Sequence, residues 1–209
     1  FYGLDFAVGP DVLIPRPETE LLVDLALGRI RDGARRVLDL GTGSGALAIA
    51  IAKHAPRAEV WAVDVSPQAL TMARRNAEHH RVSIRIIDSD WFAALGDQRF
   101  DVIIANPPYV STNDPHLGEG DVRFEPRGAL VGGADGLDSI RTIVERTPAH
   151  LALGGWIGVE HGYDQGEFVG ALFATRNYMN ITRHHDLAGL WRATSAVARS
   201  GAASGADVV

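Results

Sequence analysis

Cysteine is absent from the 209 residues. That excludes a disulfide framework, a thiolate nucleophile and any cysteine metal site. It fits a reducing compartment, although secreted proteins can also lack cysteine. Long apolar runs are missing too. No stretch approaches the roughly 18 residues that a membrane-spanning helix needs, and no leader pattern is visible. Basic residues are outnumbered, with 20 Lys and Arg against 26 Asp and Glu and a net charge of −6. A domain that grips nucleic acid by its phosphates usually carries a basic surface. Here the one local cluster is Arg74, Arg75, His79, His80 and Arg81, which suits the solvated end of a helix where cations complement the macrodipole. Stable nucleic-acid binding is therefore not expected. The length suits one domain, and the composition is that of an ordinary globular protein.

What the chain does contain is a strand that stops in an awkward place. The apolar run of residues 100–105 ends directly in Asn106, Pro107, Pro108 and Tyr109. Neither proline has an N–H, so strand pairing cannot continue. Each also holds the residue before it extended. The result is a stiff loop with free acceptors, able to hold an amide or amino –NH2 group. The Asn106 side-chain oxygen and the Pro107 carbonyl can take its two hydrogens, and the Tyr109 ring can pack on its flat face.

A second signal precedes this one. An apolar strand at 36–40 runs into Gly41, Thr42, Gly43, Ser44 and Gly45 and then into a helical stretch. Glycines there permit a tight turn and close backbone approach to a ligand at a helix N-terminus. Asp64 ends the next strand, about 20 residues on, the spacing of a carboxylate that binds ribose hydroxyls. With Ala46 in the last place the loop equally fits a dinucleotide fingerprint, so the loop alone leaves an NAD-dependent oxidoreductase open. That reading gives no role to Asn106 and its neighbours.

Strands are expected near 36–40, 59–64, 82–87, 100–105 and 155–160, and helices near 45–54, 67–80, 136–152 and 165–175. The alternation predicts a parallel sheet with helices on both faces. Residues 178–185 and 190–198 read as an antiparallel hairpin completing a mixed sheet of seven strands. Residues 1–14 read as a short β-hairpin, followed by a helix over about 18–30. Residues 1–34 thus lead into a catalytic domain over 35–199, and 200–209 read as a flexible tail. In such a sheet the ligand crevice lies beyond the carboxyl ends of the strands. The glycine loop, Asp64 and residues 106–109 all fall there. So does Trp91, which can lie against an adenine ring or cap the core.

Together these residues resemble a Rossmann-like class I S-adenosylmethionine-dependent methyltransferase. The likeness is closer than the class. Leu13, Ile14, Pro15, Arg16, Pro17, Glu18, Thr19 and Glu20 ahead of the glycine loop, the Asn106 to Tyr109 loop, and Gly120, Asp121, Val122, Arg123, Phe124, Glu125 and Pro126 resemble the PrmC/HemK family. So do Glu160, His161 and Gly162, and Asp186, Leu187, Ala188 and Gly189. The likeness spans residues 1–194.

The resemblance implies methyl transfer from S-adenosylmethionine, leaving S-adenosylhomocysteine, to the side-chain amide of the glutamine in the Gly-Gly-Gln motif of peptide chain release factors, in the cytoplasm. It implies no metal and no membrane. Asn106, Pro107 and Tyr109 become catalytic, with Pro108 also touching substrate. Gly41, Thr42, Gly43, Ser44, Gly45, Asp64, Trp91 and Asn106 become cofactor-binding. From their places in the chain, Glu18 and Thr19 either border the pocket or simply start the helix, residues 121–126 shape a lid or cleft or form a surface loop, and Glu160 and His161 read as structural. The alternative is an amino-methyltransferase acting on adenine N6, cytosine N4 or guanine N2. Two departures stand out. The family's N-terminal helical domain has no counterpart in this sequence, and Trp191 precedes Arg192 where a polar residue is usual.

Overall fold

The computed structural model describes residues 1–118, 120–176 and 178–199; the expected tail over 200–209 lies outside them. Seven strands, β1 (Arg36–Leu40), β2 (Glu59–Asp64), β3 (Arg85–Asp88), β4 (Phe100–Ala105), β5 (Leu151–Glu160), β6 (Tyr178–His185) and β7 (Trp191–Ala198), form one sheet in the order β3-β2-β1-β4-β5-β7-β6. The first five are parallel, and β7 runs antiparallel to both β5 and β6. The order reverses between β1 and β4, the switch point at which open α/β sheets place ligands.

Both faces of the central strands are buried, and alternate residues feed two cores. Leu38, Leu40, Ile103 and Ile157 join one, and Val37, Val102, Ile104 and Trp156 the other. This is why these strands read as continuous apolar runs. Helices α1 (Glu20–Arg31) and α2 (Ala46–His54) cover the second face through Leu22, Val23, Leu47 and Ile51, with α3 (Pro67–His80) beside α2. The short α4 (Arg127–Leu130) lies above the sheet's rim. Helices α5 (Asp138–Arg146) and α6 (Gly166–Thr175) cover the first face through Ile140, Ile143, Val169 and Phe173. Among the described residues no helix is long and apolar enough to cross a membrane.

The expected N-terminal β-hairpin does not form. Residues 1–16 contain no strand. Short turn bonds such as Leu4 N–H to the Phe1 carbonyl are all that link the segment's own backbone, and Asp5 and Ala7 find side chains of α3 instead of a facing strand. Asn76 accepts from the Ala7 N–H and donates to the Ala7 carbonyl, both at 2.9 Å, and His80 Nε2 lies 2.7 Å from the Asp5 carbonyl. A segment whose polar groups are satisfied this way has no need of a pairing partner. The helix expected over 136–152 also ends early, at Arg146. Pro148 lacks the N–H to continue it, and a 3-10 turn (Thr147–Ala149) leads into a longer β5. Trp191 serves the hairpin: its ring stacks on His185 at 3.5 Å, and the Arg183 guanidinium lies 4.6 Å from the centre of the same indole. Of the basic cluster, His80 is buried against Asp5, and Arg81 caps α3 in the left-handed conformation.

Candidate active site

A cavity of about 430 Å³ opens at the carboxyl rim of β1, β2 and β4. That is within the range that takes a drug-sized ligand. Its floor is the turn after β1. The Gly41 and Thr42 amides both donate to the Val63 carbonyl at 2.9 Å, tying the turn to β2. Beneath it the Thr42 hydroxyl donates to Asp39 Oδ2 at 2.6 Å. Asp39 is fully buried, its Oδ1 has no hydrogen-bond partner among the described residues, and burial pushes its pKa up to about 7. Gly41, Thr42, Gly43, Ser44 and Asp64 line the cavity.

Gly45 does not line it. Its φ of +85° starts α2, and a Cβ there would stand 2.9 Å from Ile49 Cδ1 and 3.2 Å from the Ala73 Cβ. Its missing side chain leaves room for Ile49 and Ala73.

Asp64 has two tasks at once. Oδ2 accepts from the Gly43 N–H and Oδ1 from the Ser66 N–H, each at 2.9 Å. Each carboxylate oxygen keeps a further lone pair, and the residue stays partly exposed on the cavity wall. Trp91 lies opposite, its ring against Gly41. It holds a φ of +51°, uncommon for a bulky residue, and Ser89 fixes it there. The Ser89 hydroxyl donates to the Trp91 carbonyl at 2.9 Å and accepts from the Ala94 N–H at 3.0 Å.

The sequence reading missed several lining residues: Asp11, Val12, Leu13 and Pro15 of the N-terminal segment, Val65, and Asp90. Leu13 and Pro15 show in the sequence only as part of the family resemblance, and Val65 only as an apolar residue just past a strand-ending carboxylate. Val65 is 67% exposed, so it packs in no core.

The second part of the site hangs from β4. Asn106 and Pro108 line the cavity, while Pro107 is buried and neither it nor Tyr109 reaches the lining. Asn106 Nδ2 donates to Thr19 Oγ1 at 3.0 Å, which anchors the amide by its nitrogen and leaves its oxygen for another donor. The Pro107 carbonyl accepts no hydrogen bond among the described residues. The Tyr109 hydroxyl donates to Glu160 Oε1 at 3.3 Å, and burial together with that carboxylate raises the phenol pKa well above its ordinary value.

The loop's exit is clamped from a segment not suspected from sequence. Val110 forms a parallel bridge with Val131, and Gln165 Nε2 donates to the Tyr109 carbonyl at 2.9 Å. A Cβ on Gly136 would collide with that carbonyl.

Glu160 is 1% exposed beneath the loop. Burial pushes its pKa up to about 7, against the opposing pull of Thr19, Arg192 and Tyr109. His161 has a plain structural task. Nδ1 donates to the Gly162 carbonyl and Nε2 meets Thr194 Oγ1, both at 2.8 Å, and burial lowers its pKa. Glu18 and Thr19 form the 3-10 turn (Pro17–Thr19) ahead of α1, and of the two Thr19 lines the cavity. From the 121–126 stretch, Glu125 reaches back to the N-terminal segment. It accepts from the Ile14 N–H at 3.1 Å and pairs with Arg16 at 2.6 Å. Pro126 lines the cavity.

A mostly parallel seven-stranded sheet closed by an antiparallel strand pair, with its cavity at the switch point, is the fold of the class I S-adenosylmethionine-dependent methyltransferases. An NAD-dependent reading would leave the loop after β4 without a task. Residues 18–119 match the family model of the methyltransferase small domain. Over 203 residues the chain is 51% identical to the release factor glutamine methyltransferase of Burkholderia pseudomallei, covering 93% of this chain and 71% of the relative. It is 46% identical over 187 residues to that of Escherichia coli, covering 89% and 68%. The crystal structure of a methyltransferase from Pyrococcus furiosus shares the fold, with a TM-score of 0.68 at 20% identity over 95% of this chain and 90% of the other. The chain belongs to the release factor glutamine methyltransferase family.

Proposed function

We propose that this chain methylates the side-chain amide nitrogen of the glutamine in the Gly-Gly-Gln motif of a peptide chain release factor, using S-adenosylmethionine. The observation that carries this reading is the Asn106 amide, tethered by its nitrogen to Thr19 so that its oxygen is free to accept. The residues present fit the cofactor. Asp64 has lone pairs left for two ribose hydroxyls, Trp91 offers an aromatic face, and Asp11, Asp64 and Asp90 around the cavity suit a sulfonium cation.

When bound, the cofactor supplies an electrophilic methyl group on sulfur. The rest falls to the chain. A glutamine nitrogen is a poor nucleophile because its lone pair is delocalised into the carbonyl. Asn106 Oδ1 and the Pro107 carbonyl accept its two hydrogens and favour a nitrogen moving from planar to pyramidal. That stabilises the transition state more than the ground state. Pro108 and the two-proline backbone keep these acceptors from following the substrate, so orientation contributes much of the rate. Tyr109, held by Glu160 and Gln165, braces the loop and borders the substrate. The excess proton of the methylated nitrogen leaves afterwards, without a strong base. Residues 1–34 act as part of the catalytic unit, since they supply Thr19 and one cavity wall. A release-factor substrate places the reaction in the cytoplasm.

The test is transfer of labelled methyl to a purified release factor, beside a variant with the Gly-Gly-Gln glutamine replaced. Label on the wild-type factor alone is the expected result. Label on both, or on nucleic acid only, would overturn the reading.

A further inference from the structure

Pro107, Pro108 and Tyr109 present successive carbonyls, and on the proposed reading the substrate needs only the first. The other two are dealt with from the far side of the loop. The Tyr109 carbonyl accepts from Gln165 Nε2 at 2.9 Å. The Val110 N–H, on the same planar peptide, donates to the Leu130 carbonyl at 2.9 Å, so that peptide is held at both ends. The Val110 carbonyl then takes the Gly132 N–H, again at 2.9 Å. Gly132 lies so close to the Pro108 carbonyl that a Cβ there would collide with its oxygen, and the same Cβ would stand 2.6 Å from the Gly136 carbonyl oxygen. Only a residue without a side chain leaves the Pro108 carbonyl in this place.

Gln165 directly precedes α6, yet its side chain caps no N–H of that helix. Oε1 accepts from the Gly162 N–H at 2.8 Å, in the turn after β5. Nε2 turns to the loop after β4, with the Asp135 carbonyl as a second, longer acceptor at 3.4 Å. Accepting with one end and donating with the other is open to an amide and closed to a carboxylate. The side chain thus joins the ends of two neighbouring strands, across 56 residues of sequence.

These restraints reach the Pro107 carbonyl. The ring of Pro108 locks its φ, so a single torsion separates the Pro107–Pro108 peptide from the one that follows. That following peptide carries the Pro108 oxygen seated at Gly132, and the next is held by Gln165 and Leu130. We propose that Gln165 and Gly132 are positioning residues that aim the Pro107 carbonyl at the substrate amide. Gln165, which lies outside the cavity lining, draws the Tyr109 carbonyl toward itself, and Gly132 gives the Pro108 carbonyl its seat. This rests on the acceptor role given to the Pro107 carbonyl above.

The test uses the full chain with S-adenosylmethionine and a release factor. Wild type must first label the Gly-Gly-Gln glutamine; if it does not, the function fails and the proposal with it. Gln165→Glu keeps the size and the acceptor for Gly162 but sets a carboxylate against the Tyr109 carbonyl. Its kcat at saturating substrates is expected to fall by about tenfold or more, the scale of a small misplacement of a catalytic group. The release-factor KM and the calorimetric cofactor affinity should stay within about twofold of wild type. A residue that only supported the fold would lower thermal stability and leave the kcat of the folded enzyme unchanged, and that result would overturn the proposal. So would a loss of cofactor affinity in step with kcat, since the damage would then not be confined to the transfer loop. Gly132→Ala presses on the Pro108 carbonyl and should lower kcat in the same selective way, so it decides the matter if Gln165→Glu does not fold. In the double variant the losses should fall short of adding, because both act on one carbonyl. Fully additive losses would mean that the residues act on different groups, and the proposal would be wrong.

Discussion

The two halves of the site are built in opposite ways. The cofactor half is local and made largely of backbone. The turn after β1 is tied to β2 by the Val63 carbonyl and by Asp64, and Trp91 is held by Ser89 two residues away. The transfer half is long-range and made of side chains. Asn106 leans on Thr19, Tyr109 on Glu160 and Gln165, and Arg192 on Asp186. On the proposed reading the first half binds a ligand that many enzymes share, and a strand–turn–helix does that with few special residues. The second must hold one amide in one orientation, which takes a network with a fixed direction.

The sharpest way to break the comparison is to strike each half once. Asn106→Ala removes one acceptor from the transfer half. It should cost about 2–4 kcal/mol in the transition state, as loss of one oxyanion-hole group does. Turnover then drops between roughly thirtyfold and several hundredfold. Cofactor affinity, measured by calorimetry, should stay nearly unchanged. Near-normal turnover would remove Asn106 from the mechanism.

Asp64→Asn strikes the cofactor half. It puts an N–H donor against either the Gly43 or the Ser66 amide and loses a charged acceptor for ribose. A hydrogen bond to a charged group is worth about 1.5–3 kcal/mol, so cofactor affinity should fall roughly tenfold to a hundredfold. At saturating cofactor, kcat should be nearly that of wild type. If kcat fell while affinity held, the division into halves would fail at this residue.

This division also explains what was legible in the sequence. The central strands and the C-terminal hairpin read directly from apolar runs. The glycine turn and Asp64 were visible because their partners are close in the chain and glycine marks the turn. Asn106 to Tyr109 was visible because two prolines after a strand make no sense for pairing. The N-terminal segment misled, because alternating apolar residues around a turn look the same whether the backbone pairs with itself or with Asn76. Gly45 was ambiguous, since a glycine that leaves room for Ile49 and Ala73 is indistinguishable in sequence from one that faces a ligand. The link from Thr19 to Asn106 spans 87 residues, and that from Tyr109 to Glu160 spans 51. No local pattern records either.

Both halves contain a buried carboxyl with a raised pKa, Asp39 under the glycine turn and Glu160 under the transfer loop. Each is easier to keep folded when protonated, so each favours folding below the unfolded pKa and loses that contribution as pH rises toward about 7. Stability should therefore decline by several kcal/mol between about pH 4 and pH 7 from these two groups together. Asp39→Asn should remove its share of that slope. Denaturant midpoints across this range read the slope. An unchanged slope would show that Asp39 does not titrate there.

The smallest effect is expected where the two walls of the cavity meet. Glu125 joins the N-terminal segment, which lines one wall, to the stretch leading into α4, which lines the other. The Arg16 side chain is one-third exposed, so solvent weakens the pair, and its net worth is about 1 kcal/mol or less. Glu125→Gln keeps an acceptor for the Ile14 N–H but gives up the ion pair. If the pair holds the walls together over bound cofactor, the cofactor off-rate should rise by about threefold to fivefold, with kcat unaffected at saturation. Stopped-flow displacement of the cofactor measures this directly. An unchanged off-rate would mean that the cofactor half holds its ligand from below, through the glycine turn and Asp64, and that the N-terminal wall matters for Thr19 and the transfer loop alone.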